Sequence, residues 1–218
     1  MPKRPDGFGA DAVAPKYYHE PALPEDQLTT DRQRERRSRI LDAAVEVAAV
    51  GGYDSVHVRD IADRAKVSLA TLYHYFPSKV HVLVWALDRE LMRFDDSLGQ
   101  HLTKIEDPFA RLQTVVRRLV HAMEDSDRVT EALAHAYVTS NVVASAEAEM
   151  IRVETREMFA HLMSGGATSA LHRQTADVLA DVWTSEMLAL VQGRRTYAEM
   201  RRRLRTVIHL IARTNAAG

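Results

Sequence analysis

Val58 to Lys79 reads VRDIADRAKVSLATLYHYFPSK, and the fold of the whole chain turns on this stretch. Val58, Ile61, Ala62 and Ala65 fall at i, i+3, i+4 and i+7, the apolar face of a short helix. A three-residue link, Lys66-Val67-Ser68, comes next, with Val67 placed to fill the angle between two helices. Ser68 is a good N-cap for a helix predicted over Leu69 to Tyr75, since its hydroxyl accepts from an otherwise unpaired N–H. Pro77 stops that helix and pushes Phe76 toward extended backbone. Ser78 then caps a new helix starting at Lys79, where open backbone N–H groups and a lysine suit a phosphate. A short capped helix with outward Thr71, Tyr73, His74 and Tyr75, backed by a second helix, is the layout of a helix-turn-helix reader of DNA.

Small capped helices also occur as plain packing units. The combination of link length, outward aromatic run and Pro-Ser-Lys restart favours the DNA-reading version. Tyr73 and Tyr75 cannot both be buried alongside Leu72, because neighbouring helix positions point to different faces; Phe76 reads as core.

On the N-terminal side, Ile40, Leu41, Ala44, Val45 and Ala48 form an apolar stripe that Gly51-Gly52 brings to an end. Arg32, Arg34, Arg36, Arg37 and Arg39 precede it. Arginines at a helix start oppose the helix dipole, which points to an external anion or to a solvated face paired with Glu35. Across residues 32–79 there are nine basic and six acidic side chains, a local excess of three positive charges in a chain whose formal net charge is -1. Affinity for nucleic acid must therefore come from local placement rather than bulk charge. Residues 1–30 hold five of the seven prolines and few large aliphatics, so a poorly ordered arm is expected there. Lys3, Arg4 and Lys16 put DNA within its chemistry, although a passive tail is the simpler reading.

On the C-terminal side, Val80, Leu83, Val84, Leu87, Leu91 and Phe94 give a long helix with no breaker before Gly99, a physical connector between the reader and the remainder of the chain. After Asp107-Pro108 comes a stripe of Leu112, Val115, Val116, Leu119, Val120 and Met123, then helices predicted over 127–137 and about 142–163. Ser164-Gly165-Gly166 breaks the pattern. Two closing helices, about 168–192 and 196–215, should pack as an antiparallel pair. The expected fold is all-α, divided into an arm (1–30), a helix-turn-helix domain (31–78) and a helical domain (79–218).

The 218 residues suffice for a good core. There is no cysteine, which removes disulfide and thiolate chemistry, and no run of about 18 apolar residues to span a membrane. A cytoplasmic location is expected. The histidines include no His-Glu-x-x-His, and His57, His74 and His81 are too dispersed for a ligand set, so no metal is expected. Gly-x-Ser-x-Gly and a glycine-rich phosphate loop are both missing, so neither an enzyme nor a cofactor is expected. Asp95-Asp96 and Glu147 with Glu149 read as solvated.

Gly51-Gly52-Tyr53, Val58-Arg59-Asp60-Ile61-Ala62 and Thr71-Leu72-Tyr73-His74-Tyr75-Phe76-Pro77-Ser78-Lys79, in that order, resemble the DNA-binding domain of the TetR family of repressors, over roughly residues 36–85. The wording FPSKVHVLV at 76–84 is further similar to the KstR-type repressors of sterol catabolism, a branch of that family. The resemblance implies phosphate contacts from Tyr73, Tyr75 and Lys79, with Thr71 and His74 facing the groove. It places Ser68, Leu69 and Ala70 near the base edges, Arg59 at base or phosphate, and Arg36 and Arg37 on the backbone. It also implies a C-terminal cavity for a small apolar effector, drawn from Trp85, Phe94, Phe109, Met123, Tyr137, Met158, Phe159, Trp183 and Met187. A homodimer would form through the closing helices, with Leu171, Val178, Val182, Leu204, Val207, Ile208 and Ile211 at the interface. The partners implied are double-stranded operator DNA and a steroid or fatty-acyl metabolite, a CoA thioester among the candidates. A xenobiotic-responsive regulator of an efflux gene and a helical adaptor without DNA binding are the competing readings. Leu69-Ala70 and His74 depart from the sterol branch, which has glycine before Thr and arginine at those places. A neutral imidazole cannot make arginine's bidentate contact with guanine, so the base read there differs.

Overall fold

A computed structural model describes residues 21–98, 102, 105–164 and 167–216, and regular structure among them is helical throughout. The order is α1 (Asp31–Ser55), α2 (Val58–Ala65), α3 (Leu69–Tyr75), α4 (Lys79–Leu98), α5 (Pro108–Asp125), α6 (Asp127–Val143), α7 (Ser145–Ser164), α8 (Ala170–Val191) and α9 (Tyr197–Ala216).

Local chemistry accounts for the boundaries. Thr30 and Gln33 form a reciprocal capping box at the start of α1. That helix breaks at Gly51 and Gly52, where Gly52 has φ +74°, the left-handed region. A Cβ at Gly52 would displace the Glu131 carboxylate, which accepts from Tyr53 N at 2.6 Å, but it is the angle that calls for glycine. Lys66 closes α2 in the left-handed conformation, with its own amide and that of Val67 bonding back to Asp63 and Ala62. Ser68 Oγ accepts from Thr71 N at 3.0 Å and caps α3. Ser68→Ala should cost about 1 kcal/mol of stability, read as a lowered urea midpoint at unchanged m-value.

Three expectations change. The break placed between 137 and 142 falls instead at Ala144, since α6 runs on to Val143 and α7 starts at Ser145. Of the arm, residues 1–20 lie outside the described residues, while 21–30 are anchored to the fold at a few points, with most of their side chains exposed. Ala22 and Leu28 are buried, a short 3-10 turn spans Glu25–Gln27, and Leu23 N donates to Tyr75 O at 2.9 Å. Third, the core ignores the division at 78/79. One hydrophobic cluster joins α1–α4 to Leu133, Ala136 and Tyr137 of α6 and Ile151 of α7, and a second fills the space among α5 to α9. The reader is thus seated directly on α6 and α7.

Candidate nucleic-acid interface and effector cavity

The phase of α3 decides which of its side chains can meet DNA. Leu72 and Tyr75, three apart, turn inward and are buried, and with Phe76 they anchor the helix to the first cluster. Ser68, Ala70, Tyr73 and His74 are exposed, with Thr71 half-buried beside them. Leu69 is half-buried against the core, at the margin of that face. Tyr75 is therefore corrected: at 1% exposure its ring is part of the core, and Tyr73 is the outward tyrosine.

Arg37 is a second correction. It is 4% exposed, with its guanidinium 4.3 Å from the Trp85 ring and 5.4 Å from that of Phe76, and Glu25 at 3.6 Å. One position earlier, Arg36 is only half-buried, because adjacent residues on a helix face about 100° apart. Arg59 is exposed on the first turn of α2. Lys79 begins α4 as expected, yet its ammonium turns back to bond Tyr53 O at 2.9 Å and sits 3.8 Å over the Tyr53 ring. Burial lowers its pKa from the ordinary lysine value. The start of the helix falls where expected, but the lysine side chain fastens the elbow.

A cavity of about 320 Å³ opens among α1, α4, α5, α6, α7 and α8. Phe94, Met123, Tyr137, Trp183 and Met187 line it, together with Leu87, Leu91, Leu119, Leu133 and Ile151. Four expected members are elsewhere. Phe159 is fully buried behind Trp183, edge-on at 6.2 Å. Trp85 carries Arg37 instead, and Phe109 and Met158 pack against the second cluster. Sequence reasoning favoured aromatics and methionines; aliphatic side chains are the largest group of the lining, and no local signal separates an aliphatic lining residue from an ordinary core one. At the rim, Arg93 pairs with Glu90 at 2.9 Å and Asp42 at 3.1 Å.

The interior junction between α1, α4 and α7 holds charge as well. Asp88 of α4 is buried; desolvation, then a hydrogen bond and repulsion from Glu154 of α7, push its pKa up to about 8 against the pull of Arg37. The folded protein keeps this proton where the unfolded chain releases it. Stability from this site is thus full below the ordinary carboxylate range and is lost as pH rises toward 8. Asp88→Asn, which imitates the protonated group, should flatten that slope, seen by comparing urea midpoints at about pH 5.5 and 8.5.

Of the expected interface residues, Leu171 and Val178 are 55% and 58% exposed on α8, and Val182, Val207 and Ile211 are half-buried. Leu204 and Ile208 are corrected: both are buried in the subunit's own core, because that side of α9 packs on α5. Leu210, outside the expected set, is also 58% exposed, which follows from the rotation of α9 that apolar spacing alone did not fix. Glu147 is a further correction, since it is 5% exposed rather than solvated. Among the described residues no group of three or more His, Cys, Asp or Glu side chains could hold a metal, and no helix is long and apolar enough to cross a membrane.

An outward capped α3 held across its back by α2, joined by a long helix to an apolar cavity, defines a helix-turn-helix transcription regulator with a separate sensing region. Residues 40–84 match the family model of bacterial regulatory proteins of the tetR family, and residues 106–211 that of the tetracyclin repressor-like C-terminal domain. The chain is 40% identical to the transcriptional repressor KstR of Mycobacterium tuberculosis over 87% of its length and 86% of that protein's. It is 36% identical to KstR of Rhodococcus jostii over 87% and 88%. In structure it is similar to a TetR regulator from Rhodococcus sp. RHA1, with TM-score 0.74, 23% identity, and 83% and 97% of the two chains covered. It is similar also to the Thermus thermophilus repressor FadR in complex with lauroyl-CoA, with TM-score 0.64, 19% identity, and 81% and 93% covered. The chain belongs to the TetR family of transcriptional regulators.

Proposed function

We propose that this protein is a homodimeric cytoplasmic repressor that leaves its operator when an apolar acyl or steroid compound, carried as an acid or CoA thioester, enters the cavity. The observation that carries the reading is the cavity itself, lined by aliphatic and aromatic side chains and walled on one side by α4, the helix that begins in the reader. At about 320 Å³ it lies near the lower end of the usual 300–1,000 Å³ for small-molecule sites. A steroid-sized occupant must therefore displace the helices around it, and α4 carries that displacement to α3. Arg93 favours an occupant with an anionic end. A carboxylate or phosphate reaching it would compete with Asp42 and Glu90 and loosen the tie between α4 and α1. The likeness to the KstR repressors supports a sterol-related effector over a xenobiotic one.

In the dimer, Leu171 and Val178 of α8 and Leu210 of α9 meet their counterparts, setting two α3 helices about 34–36 Å apart on one face of the duplex. On this reading Ser68, Ala70, Thr71 and His74 face the groove, Tyr73 and Arg36 reach phosphates, and Arg59 meets base or phosphate.

Native mass spectrometry of the purified protein, with and without added lauroyl-CoA or a steroid-acid CoA thioester, checks both dimer and occupant. Operator binding followed across a salt series should show a log–log slope of about −5 to −9, for about 6–10 phosphate contacts per dimer. A slope near zero would leave a ligand-binding adaptor. Added acyl-CoA should weaken operator binding about 5–150-fold.

A further inference from the structure

We infer that Glu147, through the chain at residues 22–23, is the positioning residue that ties the sensing helix α7 to the DNA-reading helix α3. Two successive backbone amides hold two different helices together. Ala22 N donates to Glu147 Oε1 on the first turn of α7 at 2.8 Å, and Leu23 N donates to Tyr75 O at the end of α3 at 2.9 Å. A helix of seven residues leaves its last carbonyls without intrahelical donors, so the Leu23 amide satisfies a group that α3 cannot satisfy itself. The link is largely buried: Ala22, Tyr75 and Glu147 are 3%, 1% and 5% exposed and Leu23 is half-buried, so water competes little for these bonds. Glu147 also lies 3.9 Å from His81 Nε2 on the first turn of α4, while His81 Nδ1 meets Ser78 Oγ at 2.8 Å. A single carboxylate thus touches both the strap and the start of the connector.

The other end of the link is the cavity. Ile151 and Thr155, four and eight residues beyond Glu147 on the same face of α7, are lining residues. A shift of α7 that makes room for an occupant moves Glu147, and with it Ala22, Leu23 and the carbonyl end of α3. The route reaches the carbonyl end of α3 through residues 22–23, and the same carboxylate also borders the start of α4 at His81. Its physiological use rests on the effector reading above.

The test compares wild type, Glu147→Ala and Glu147→Gln, the last of which keeps an acceptor for Ala22 N. Each is combined with Ala134→Phe, which fills the cavity without a ligand, and operator affinity is measured by fluorescence anisotropy. Thr155→Met replaces Ala134→Phe if the latter melts early. Filling should weaken operator binding at least about fivefold in wild type and in the E147Q background, and less than about twofold in the E147A background. Equal responses in all three, including no response in any, overturn the inference. Titration with lauroyl-CoA is run in parallel. A wild-type protein that ignores the thioester but responds to cavity filling keeps Glu147 in this role and removes the effector class instead.

Discussion

Replacing Tyr73 and His74 together with alanine should lower operator affinity by more than about 100-fold while moving the melting temperature by no more than about 2 °C. Both side chains are exposed on α3, so their loss leaves the core untouched, and surface changes of this kind stay within about 0.5 kcal/mol. A hydrogen bond to a charged group such as a phosphate is worth about 1.5–3 kcal/mol and a neutral one about 0.5–1.5 kcal/mol, and a two-fold dimer presents each one twice. The combined loss is several kcal/mol of binding against almost none of stability. Anisotropy titrations on operator DNA and thermal melts of the same preparations would show the separation. Tyr75→Ala is the control with the opposite signature. Its ring is buried with Leu72 and Phe76, and removing a core aromatic costs about 3–5 kcal/mol of stability. If the Y73A/H74A protein binds operator as well as wild type, α3 does not read the groove.

The second large effect is Arg37→Ala, expected to cost about 3–5 kcal/mol, a fall of about 6–20 °C in melting temperature for a chain of this size. Its guanidinium is held between Trp85 and Phe76 and is the cation facing the buried Asp88, with Glu25 beside it. Burial lowers the arginine's own pKa, and the nearby Glu25 and Asp88 raise it back. Truncation leaves a void between two aromatic rings and removes the cation that opposes the rise in the Asp88 pKa. Arg37→Met with Asp88→Asn, which removes both ionisable groups and keeps the volume, should recover most of the loss. A double variant no more stable than R37A would mean that the stability comes from the guanidinium's own contacts with Trp85, Phe76 and Glu25 rather than from filled volume. Arg37 also occupies the point where α1, α4 and α7 meet, so the double variant should retain operator binding while R37A shows it only below its melting range.

Most of the reader was legible without coordinates because its signals are local. The apolar spacing in α2, the Ser68 cap, the Pro77 stop and the restart at Lys79 all act within one or two turns, and each element formed where expected. The long α4, the closing helices and the Gly51-Gly52 break are equally local statements about spacing and backbone freedom. The cavity was foreseeable in kind but not in membership. Whether Phe159 or Ile151 borders a void depends on how several helices approach one another, and the sequence of any one of them is silent on that.

The same division runs through the charged residues. Arg36 and Arg37 look alike in the sequence, as do Glu147 and Glu149, yet one of each pair is buried. Arg37 is inside because Trp85, far along the chain on α4, gives it an aromatic face, and Glu147 is inside because the amide of Ala22 reaches it across a separation of 125 residues. A charge is driven out of a core unless specific partners meet it there, and those partners come from other helices. The chain's own pattern thus determined a helical regulator with an outward reading helix. Only tertiary packing decided which arginine, which tyrosine and which glutamate turn inward to join the reader to the sensing region, because that depends on groups far apart in sequence arriving at one place.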